Sequence, residues 1–133
     1  MAHVLVIDDN DGLRAVARLA LESVGHEVID APDGQMGLEL LARHAPDVMV
    51  TDILMPTKEG LETIREARAG WPNLAIVAMS GGGSMEILDL LRIAMQFGAD
   101  KALEKPFRPS GLRDAVAEAI SLRAAGRAPT SGR

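Results

Sequence analysis

Residues 47–56 read DVMVTDILMP, from Asp47 to Pro56. Val48 to Val50 form a short, β-branched and apolar run, which predicts a strand that is buried on both faces. Asp52 follows this run, and Pro56 prevents the chain from continuing as strand or helix. A carboxylate at the end of a buried strand is costly unless it faces solvent, a metal ion or a cationic partner. Asp52 could be only a turn-forming residue, so the other strand ends must decide between the two interpretations.

The composition of the chain is typical of a single globular domain. Of its 133 residues 47% are hydrophobic, which is enough for a buried core. No apolar stretch reaches the roughly 18 residues of a membrane span, and the N-terminus lacks a signal-peptide pattern. The absence of cysteine excludes disulfides and is compatible with a cytoplasmic location. The net charge of −5, with no basic cluster, argues against nucleic-acid binding, and three scattered histidines argue against a histidine metal site.

Strand-like and helical segments alternate along the whole chain. The strands are predicted at residues 3–7, 27–30, 48–50, 74–79 and 101–104. The helical spacing of apolar residues predicts five helices, which begin near residues 11, 36, 61, 85 and 109. Five strand–helix units in strict alternation predict a doubly wound α/β fold with a parallel sheet. Residues 1–122 are therefore predicted to form one domain, and residues 123–133, which lack periodicity, to form a disordered tail.

The same spacing predicts which helical residues face the core. In the first two helices these are Leu13, Val16, Ala17, Ala20 and Val24, then Leu38, Leu41 and Ala42. In the last two they are Ile87, Leu88, Leu91 and Met95, then Leu112, Val116, Ala119 and Ile120. Arg14 and Arg18 are expected on the outward side of the first helix. The methionines Met49, Met55, Met79 and Met95 are interpreted as core residues.

Polar residues follow four of the five predicted strands. Asp8 and Asp9 come after the first strand, and Asp52 comes after the third. Ser80 follows the fourth strand and Lys105 the fifth. Because the carboxyl ends of parallel strands meet at one edge of the sheet, these side chains are expected to converge where this fold class binds ligands. Each residue also has an ordinary explanation, as a helix cap or an exposed turn residue. The occurrence of such residues after four strands of one sheet nevertheless favours a functional site.

The residue types at this edge suit a phosphoryl-transfer site. Crowded carboxylates repel one another, and a hard divalent cation such as Mg²⁺ relieves that repulsion. A carboxylate beside such an ion can act as a nucleophile toward phosphorus and form an acyl phosphate. Lys105 and the Ser80 hydroxyl would then neutralise and hydrogen-bond the transferred group.

The order of these motifs resembles the receiver domain of bacterial two-component response regulators. The resemblance is carried by Asp-Asp after the first strand, Asp-x-x-Met-Pro after the third, Ser after the fourth and Lys-Pro-Phe after the fifth. It covers about residues 3–122, nearly the whole chain. It implies a flavodoxin-like fold, with five parallel strands in the order 2-1-3-4-5 and five helices.

The resemblance also implies a role for each residue of the site. Asp52 would be the phospho-acceptor. The implied Mg²⁺ ligands are the carboxylates of Asp8, Asp9 and Asp52 and the backbone carbonyl of Leu54. The implied phosphate-binding and switch residues are Ser80, Gly81 and Lys105. Pro106 would follow a cis peptide bond that directs Lys105 into the site.

The function implied is that of a signalling switch rather than an enzyme. A histidine kinase or a histidine phosphotransfer protein would phosphorylate Asp52, and the protein would catalyse only its own phosphorylation and dephosphorylation. Its output would be a protein–protein interaction, through the face of the fourth helix, fifth strand and fifth helix, or onward phosphotransfer. Neither nucleic acid nor a membrane is expected as a partner. The chain could also be a receiver fragment of a larger regulator.

Some positions depart from the common receiver pattern and leave the phosphoryl lifetime and the output route open. Ala102 replaces an aromatic residue, and Leu54 and Gly82 replace residues that are polar in many receivers. Lys58 and Glu59 stand where Met and Asp are frequent. Two rival classes share parts of the pattern. A haloacid dehalogenase-type aspartyl-phosphate phosphatase would need an acid at position 54, and a flavin-type nucleotide binder would have its phosphate repelled by the two aspartates after the first strand.

Overall fold

The computed structural model describes residues 1–54, 60–81 and 85–127, without the side chains of 85–88 and 127. The strands are β1 (His3–Ile7), β2 (Glu27–Ala31), β3 (Val48–Asp52), β4 (Ala75–Gly81) and β5 (Lys101–Lys105). The helices are α1 (Asp11–Glu22), α2 (Gly34–His44), α3 (Gly60–Gly70), α4 (Met85–Phe97) and α5 (Pro109–Arg127). The strict alternation that the sequence predicts is therefore confirmed.

The five strands form one parallel sheet in the order β2-β1-β3-β4-β5. The predicted doubly wound fold and its strand order are confirmed. The middle strand is β3, all five residues of which are buried, as the run of β-branched and apolar residues predicts. β3 continues two residues past the predicted end at Val50, so that Asp52 is the last residue of the strand itself.

Alternate residues of the strands divide the core between the two faces of the sheet. Val4, Val6 and Val50 pack on the face that α1 and α5 cover. Leu5 and Ile76 pack on the opposite face, beneath α2, α3 and α4. Because successive side chains of a strand point to opposite faces, β1, β2, β3 and β4 contribute to both clusters, whereas β5 contributes Leu103 to the first cluster only. Helices cover both faces of the sheet, so its accessible parts include the two ends of the strands. We call the side where the strands end the carboxyl edge of the sheet, and the side where they begin the opposite edge.

The predicted inward face of α1 is partly wrong. The helix buries Ala17, Ala20 and Leu21, whereas the side chains of Val16 and Val24 are 48% and 53% exposed. The buried stripe consists of residues at i, i+3 and i+4, and Val16 lies to one side of it, while Val24 lies beyond the end of the helix at Glu22. Val16 and Leu19 extend the apolar surface of α1 beyond the buried stripe, so spacing alone could not decide which part of that surface is buried.

Two further core predictions fail in the same way. Ala42 on α2 is exposed, and Met95 on α4 is 42% exposed while its neighbour Ala94 is buried. Met49 and Met79, in contrast, are completely buried in the sheet as predicted. The predictions for Met55, Ile87 and Leu88 fall on residues or side chains outside the described part of the chain.

The predicted disordered tail begins too early. α5 continues to Arg127, five residues beyond the predicted end of the domain at residue 122. The Arg123 guanidinium donates to the Asp100 carboxylate at 2.6 Å and to the Pro72 carbonyl at 3.3 Å, and these bonds tie the last turns of the helix to the domain. Residues 128–133 lie outside the described residues. No helix in the described ranges is long and apolar enough to cross a bilayer.

Candidate functional site

The carboxyl ends of the strands bring the predicted polar residues together. Asp8, which follows β1, and Ser80 on β4 are completely buried, and Asp52 at the end of β3 is 6% exposed. Asp9 is exposed beside them. Lys105 ends β5 and pairs in register with Gly81 on β4. Parallel pairing therefore assembles residues that are up to 97 positions apart in the sequence.

Lys105 is the cation of this cluster. Its Nζ atom lies 2.7 Å from Oδ2 of Asp8 and 3.6 Å from Oδ2 of Asp52, so that it bridges two buried carboxylates. The alternative that Lys105 is an exposed turn lysine is wrong, since its side chain is only 22% exposed. The Lys105–Pro106 peptide bond is cis, as predicted.

The Asp8 side chain is held in place by its surroundings. Its Oδ1 atom accepts a hydrogen bond from the backbone N–H of Asn10 at 2.8 Å, and its Oδ2 atom accepts from Lys105. Its own N–H donates to the carbonyl of Ala31 on β2 at 3.1 Å. Asn10 also caps α1, because its side chain accepts from the Leu13 N–H. The acidic turn thus both caps a helix and supplies a carboxylate to the site.

Burial raises the pKa of Asp52 from 3.8 to about 6. The positive charge of Lys105 opposes this rise, while the negative charges of Asp8 and Asp9 add to it. The hydrogen bond from the N–H of Leu54, 3.5 Å from Oδ1 of Asp52, lowers the pKa as Lys105 does. Desolvation therefore outweighs the lysine, and a further cation at this position would favour the charged carboxylate.

Three carboxylates are close enough to share one metal ion. Asp8, Asp9 and Asp52 each offer an oxygen atom, and the three oxygens lie within 4.8 Å of one another. Hard oxygen donors are the ligands that Mg²⁺ prefers, and two buried carboxylates beside an exposed one leave positions open on the solvent side. The donor set therefore fits Mg²⁺. The role of the Leu54 carbonyl stays a prediction.

The Ser80 hydroxyl is buried and has no hydrogen-bond partner among the described residues. A buried hydroxyl that lacks a partner costs free energy, which a group entering the site could recover. Gly81, the next residue, is exposed at the end of β4, and its predicted role stays a prediction. Gly82, Lys58 and Glu59 lie outside the described residues.

Gly60 supports the site in a way that the sequence pattern did not reveal. A Cβ atom at this position would lie 2.0 Å from the backbone oxygen of Asp52. The Gly60 N–H also donates to the carbonyl of Ile53 at 3.1 Å. The first residue of α3 therefore rests directly against the end of β3, an approach that only glycine permits.

Sequence reasoning also missed Arg14, which was expected to face outward from α1. Its side chain is 15% exposed and turns back to the carbonyl oxygen of Asp8. A long basic residue one helical turn after the cap was the available signal, because such a side chain can reach the turn that precedes its helix.

Comparison with known proteins agrees with this geometry. Residues 4–117 match the family described as response regulator receiver domain. The response regulator MprA of Mycobacterium sp. (strain KMS) is 36% identical over 106 residues, which cover 79% of this chain and 44% of that protein. The sporulation initiation phosphotransferase F of Bacillus subtilis is 25% identical over 120 residues, 90% of this chain and 94% of that protein.

The fold has close counterparts among solved structures. A response regulator receiver domain protein from Clostridium thermocellum superposes with a TM-score of 0.85 at 31% identity, covering 94% of this chain and 98% of that one. The chain belongs to the response regulator receiver domain family, and its fold is the flavodoxin-like fold of that family. It is thus a receiver domain of a two-component system. The chain matches less than half the length of its relative MprA.

Proposed function

We propose that Asp52 accepts a phosphoryl group from a histidine kinase or a histidine phosphotransfer protein. The observation that carries this proposal is the position of Asp52, which is 6% exposed at the end of β3 with Lys105 3.6 Å away. Asp8 and Asp9 surround the same point. Structural burial alone does not require a carboxylate here, since an apolar residue would fill the same space without the desolvation cost.

Mg²⁺ held by Asp8, Asp9 and Asp52, with the Leu54 carbonyl, would neutralise negative charge on the phosphoryl oxygens. A carboxylate oxygen of Asp52 attacks phosphorus, the bond from phosphorus to the donor's imidazole nitrogen breaks, and an acyl phosphate forms on Asp52. The charged form of Asp52 is the nucleophile, so a bound cation that lowers its raised pKa also increases the reactive fraction.

Lys105 and Ser80 would receive the transferred group. Lys105 is within reach of Asp52 already, and its ammonium would pair with a phosphoryl oxygen. Ser80 would donate its hydroxyl, which has no partner within the described part of the chain. The protein would catalyse its own phosphorylation and dephosphorylation and turn over no other substrate.

For the output we propose a partner protein that binds the face formed by α4, β5 and α5. Two of these elements carry exposed large apolar residues, Met95 on α4, which is 42% exposed, and Leu122 on α5, which is 53% exposed. A groove of about 410 Å³ is lined there by Lys101, Ala117, Glu118, Ser121 and Leu122. Ala102 is also exposed on β5, where it offers only a methyl group to this face. Onward phosphotransfer from Asp52 is the alternative output.

Incubation with acetyl phosphate and Mg²⁺, followed by intact-mass measurement, tests the acceptor. Wild type should gain the mass of one phosphoryl group, and Asp52→Asn should gain none. Asp47→Asn is the matched control, because Asp47 precedes the same strand and accepts a hydrogen bond from the His3 N–H at the opposite edge of the sheet. An adduct that persists in Asp52→Asn would place the acceptor elsewhere.

A chromogenic phosphate ester separates this function from that of a phosphatase. The phosphatase alternative needs an acid two residues after the nucleophile, where Leu54 stands with 48% of its surface exposed. No turnover of the ester is therefore expected.

A further inference from the structure

Arg14 contacts the acidic turn of residues 8–11 at two points. One guanidinium nitrogen, Nη1, donates to the backbone oxygen of Asp8 at 2.6 Å. The other, Nη2, pairs with the Asp11 carboxylate. The Nε atom is buried without a hydrogen-bond partner among the described residues. Burial of an unpaired N–H costs free energy, so the contacts at the two terminal nitrogens must offset that cost.

The carbonyl that Arg14 binds belongs to the peptide group between Asp8 and Asp9. β1 ends at Ile7, and the last bond that extends its pairing with β2 is made by the N–H of Asp8. The Asp8 carbonyl therefore lies past the ladder and needs another donor. Holding this one peptide plane restricts the backbone on both of its sides, and with it the directions of two neighbouring carboxylates.

Asp9 depends on this restraint more than Asp8 does. The Asp8 carboxylate is also bound by the Asn10 N–H and by Lys105. Asp9 is exposed, and the described residues provide its carboxylate with no hydrogen bond or ion pair. The backbone is then what places the Asp9 carboxylate within 4.8 Å of the other two.

We propose that Arg14 is a positioning residue for the divalent-cation site and acts through the Asp8 carbonyl on the Asp8–Asp9 pair. The proposal rests on the proposed function in assigning these carboxylates to Mg²⁺. Arg14 has two effects of opposite sign. Its hydrogen bond orders the ligands and favours metal binding, whereas its positive charge repels a cation. We expect the hydrogen bond to have the larger effect, because Asp11 pairs with the guanidinium and reduces the effect of its charge.

Calorimetric titration with Mg²⁺ at constant ionic strength distinguishes the two effects. Arg14→Met removes both the donor and the charge, and its Mg²⁺ affinity should fall about tenfold. Arg14→Lys keeps the charge and one hydrogen-bonding group. Its Mg²⁺ affinity should lie between that of wild type and that of Arg14→Met. If Arg14→Met bound Mg²⁺ as tightly as wild type or more tightly, the positioning role would be refuted. Should Arg14→Met fail to fold, Arg14→Lys decides alone: weaker binding than wild type supports the role, and equal or tighter binding refutes it.

Arg18→Met is the matched control. Arg18 lies one turn further along α1 and also donates to a backbone carbonyl, that of Val28 at 2.7 Å, while pairing with Glu22. The substitution removes the same charge and the same kind of bond away from the site. Its Mg²⁺ affinity should equal that of wild type, and an equal loss in both methionine variants would overturn the proposal.

Phosphorylation by acetyl phosphate at increasing Mg²⁺ concentration supplies a second readout. In Arg14→Met the half-saturating Mg²⁺ concentration should rise about tenfold while the rate at saturation approaches that of wild type. A lower plateau with an unchanged half-saturating concentration would contradict the positioning role. If wild type accepted no phosphoryl group, the proposed function would fail, but the order of the calorimetric affinities would still decide the role of Arg14.

Discussion

Asp52 is held in an environment that disfavours its own charge. Burial is the largest influence on its pKa and raises it to about 6, and the nearby Asp8 and Asp9 add to the rise. Lys105 compensates only in part, since it lies nearer to Asp8 than to Asp52. A cation bound beside these carboxylates would favour the charged form of Asp52 and so relieve part of this unfavourable energy.

This environment predicts a pH-dependent cost to stability. Because the pKa of Asp52 is higher in the folded state (about 6) than in the unfolded chain (3.8), its contribution to stability is present at low pH and lost as the pH rises through about 6. In metal-free buffer Asp52→Asn should therefore exceed wild type in free energy of unfolding by about 1–3 kcal/mol near pH 7.5, and by much less near pH 4.5.

Urea denaturation in the presence of a chelator, at about these two pH values, measures the difference. Asp47→Asn removes a carboxylate at the opposite edge. The difference between its free energy of unfolding and that of wild type should not increase from the lower to the higher pH. A gap between Asp52→Asn and wild type that is independent of pH would show that the buried charge is not its cause.

At the scale of elements, the site depends on how the ends of β3 and α3 meet. Gly60 begins α3 against the backbone of Asp52, and the glycine allows the helix to start there. At the other end of α3, the Arg68 guanidinium donates to the carbonyls of Gly98 and Leu74 and pairs with Asp100 at 3.1 Å. The helix is thus anchored at both ends, and its start lies against the backbone of Asp52.

Gly60→Ala should destabilise the protein by about 2–4 kcal/mol, because its Cβ would overlap backbone atoms that cannot move aside cheaply. Gly70→Ala is the control within the same helix, since a Cβ there meets nothing within 4 Å. That variant should be neutral or slightly more stable. Chemical denaturation of the two proteins compares them directly, and similar values for both would refute the close-approach interpretation.

At the scale of the whole molecule, the two edges of the sheet are chemically different. The acidic cluster lies at the carboxyl ends of the strands. The opposite edge has a groove of about 570 Å³ lined by Met1, Ala2, His26, Pro46, Asp47, Gly70, Trp71, Pro72, Asn73, Leu74, Ala75 and Ile120. The only tryptophan of the sequence therefore lies a full strand length from Asp52.

Trp71 fluorescence should accordingly report unfolding but respond little to Mg²⁺ or to phosphorylation. Leu54→Trp in a Trp71→Phe background provides the comparison, because position 54 is half exposed and its N–H faces Asp52. The introduced indole should change its emission on Mg²⁺ addition. An equally large change in Trp71 would mean that binding at one edge rearranges the other.

The sequence by itself determined the order of the elements and the strand ends at which Asp8, Asp52, Ser80 and Lys105 lie. The strand order followed only from the resemblance of its motifs to those of receiver domains. It could do so because buried strands, caps and breakers are local patterns, and because parallel pairing leaves one edge for all carboxyl ends. The inner faces of β3 and α5 followed from the same local patterns.

Only the tertiary structure decided how these groups interact. It showed that Asp8 is buried while its neighbour Asp9 is exposed, and that Lys105 is closer to Asp8 than to Asp52. It also turned Arg14 toward the site and extended α5 past residue 122. Each of these outcomes depends on distances between segments that are remote in sequence, and helical spacing cannot choose between two apolar faces of one helix. The burial, the pKa and the contacts of a side chain depend on how the helices pack against the sheet, so they are determined only by the tertiary structure.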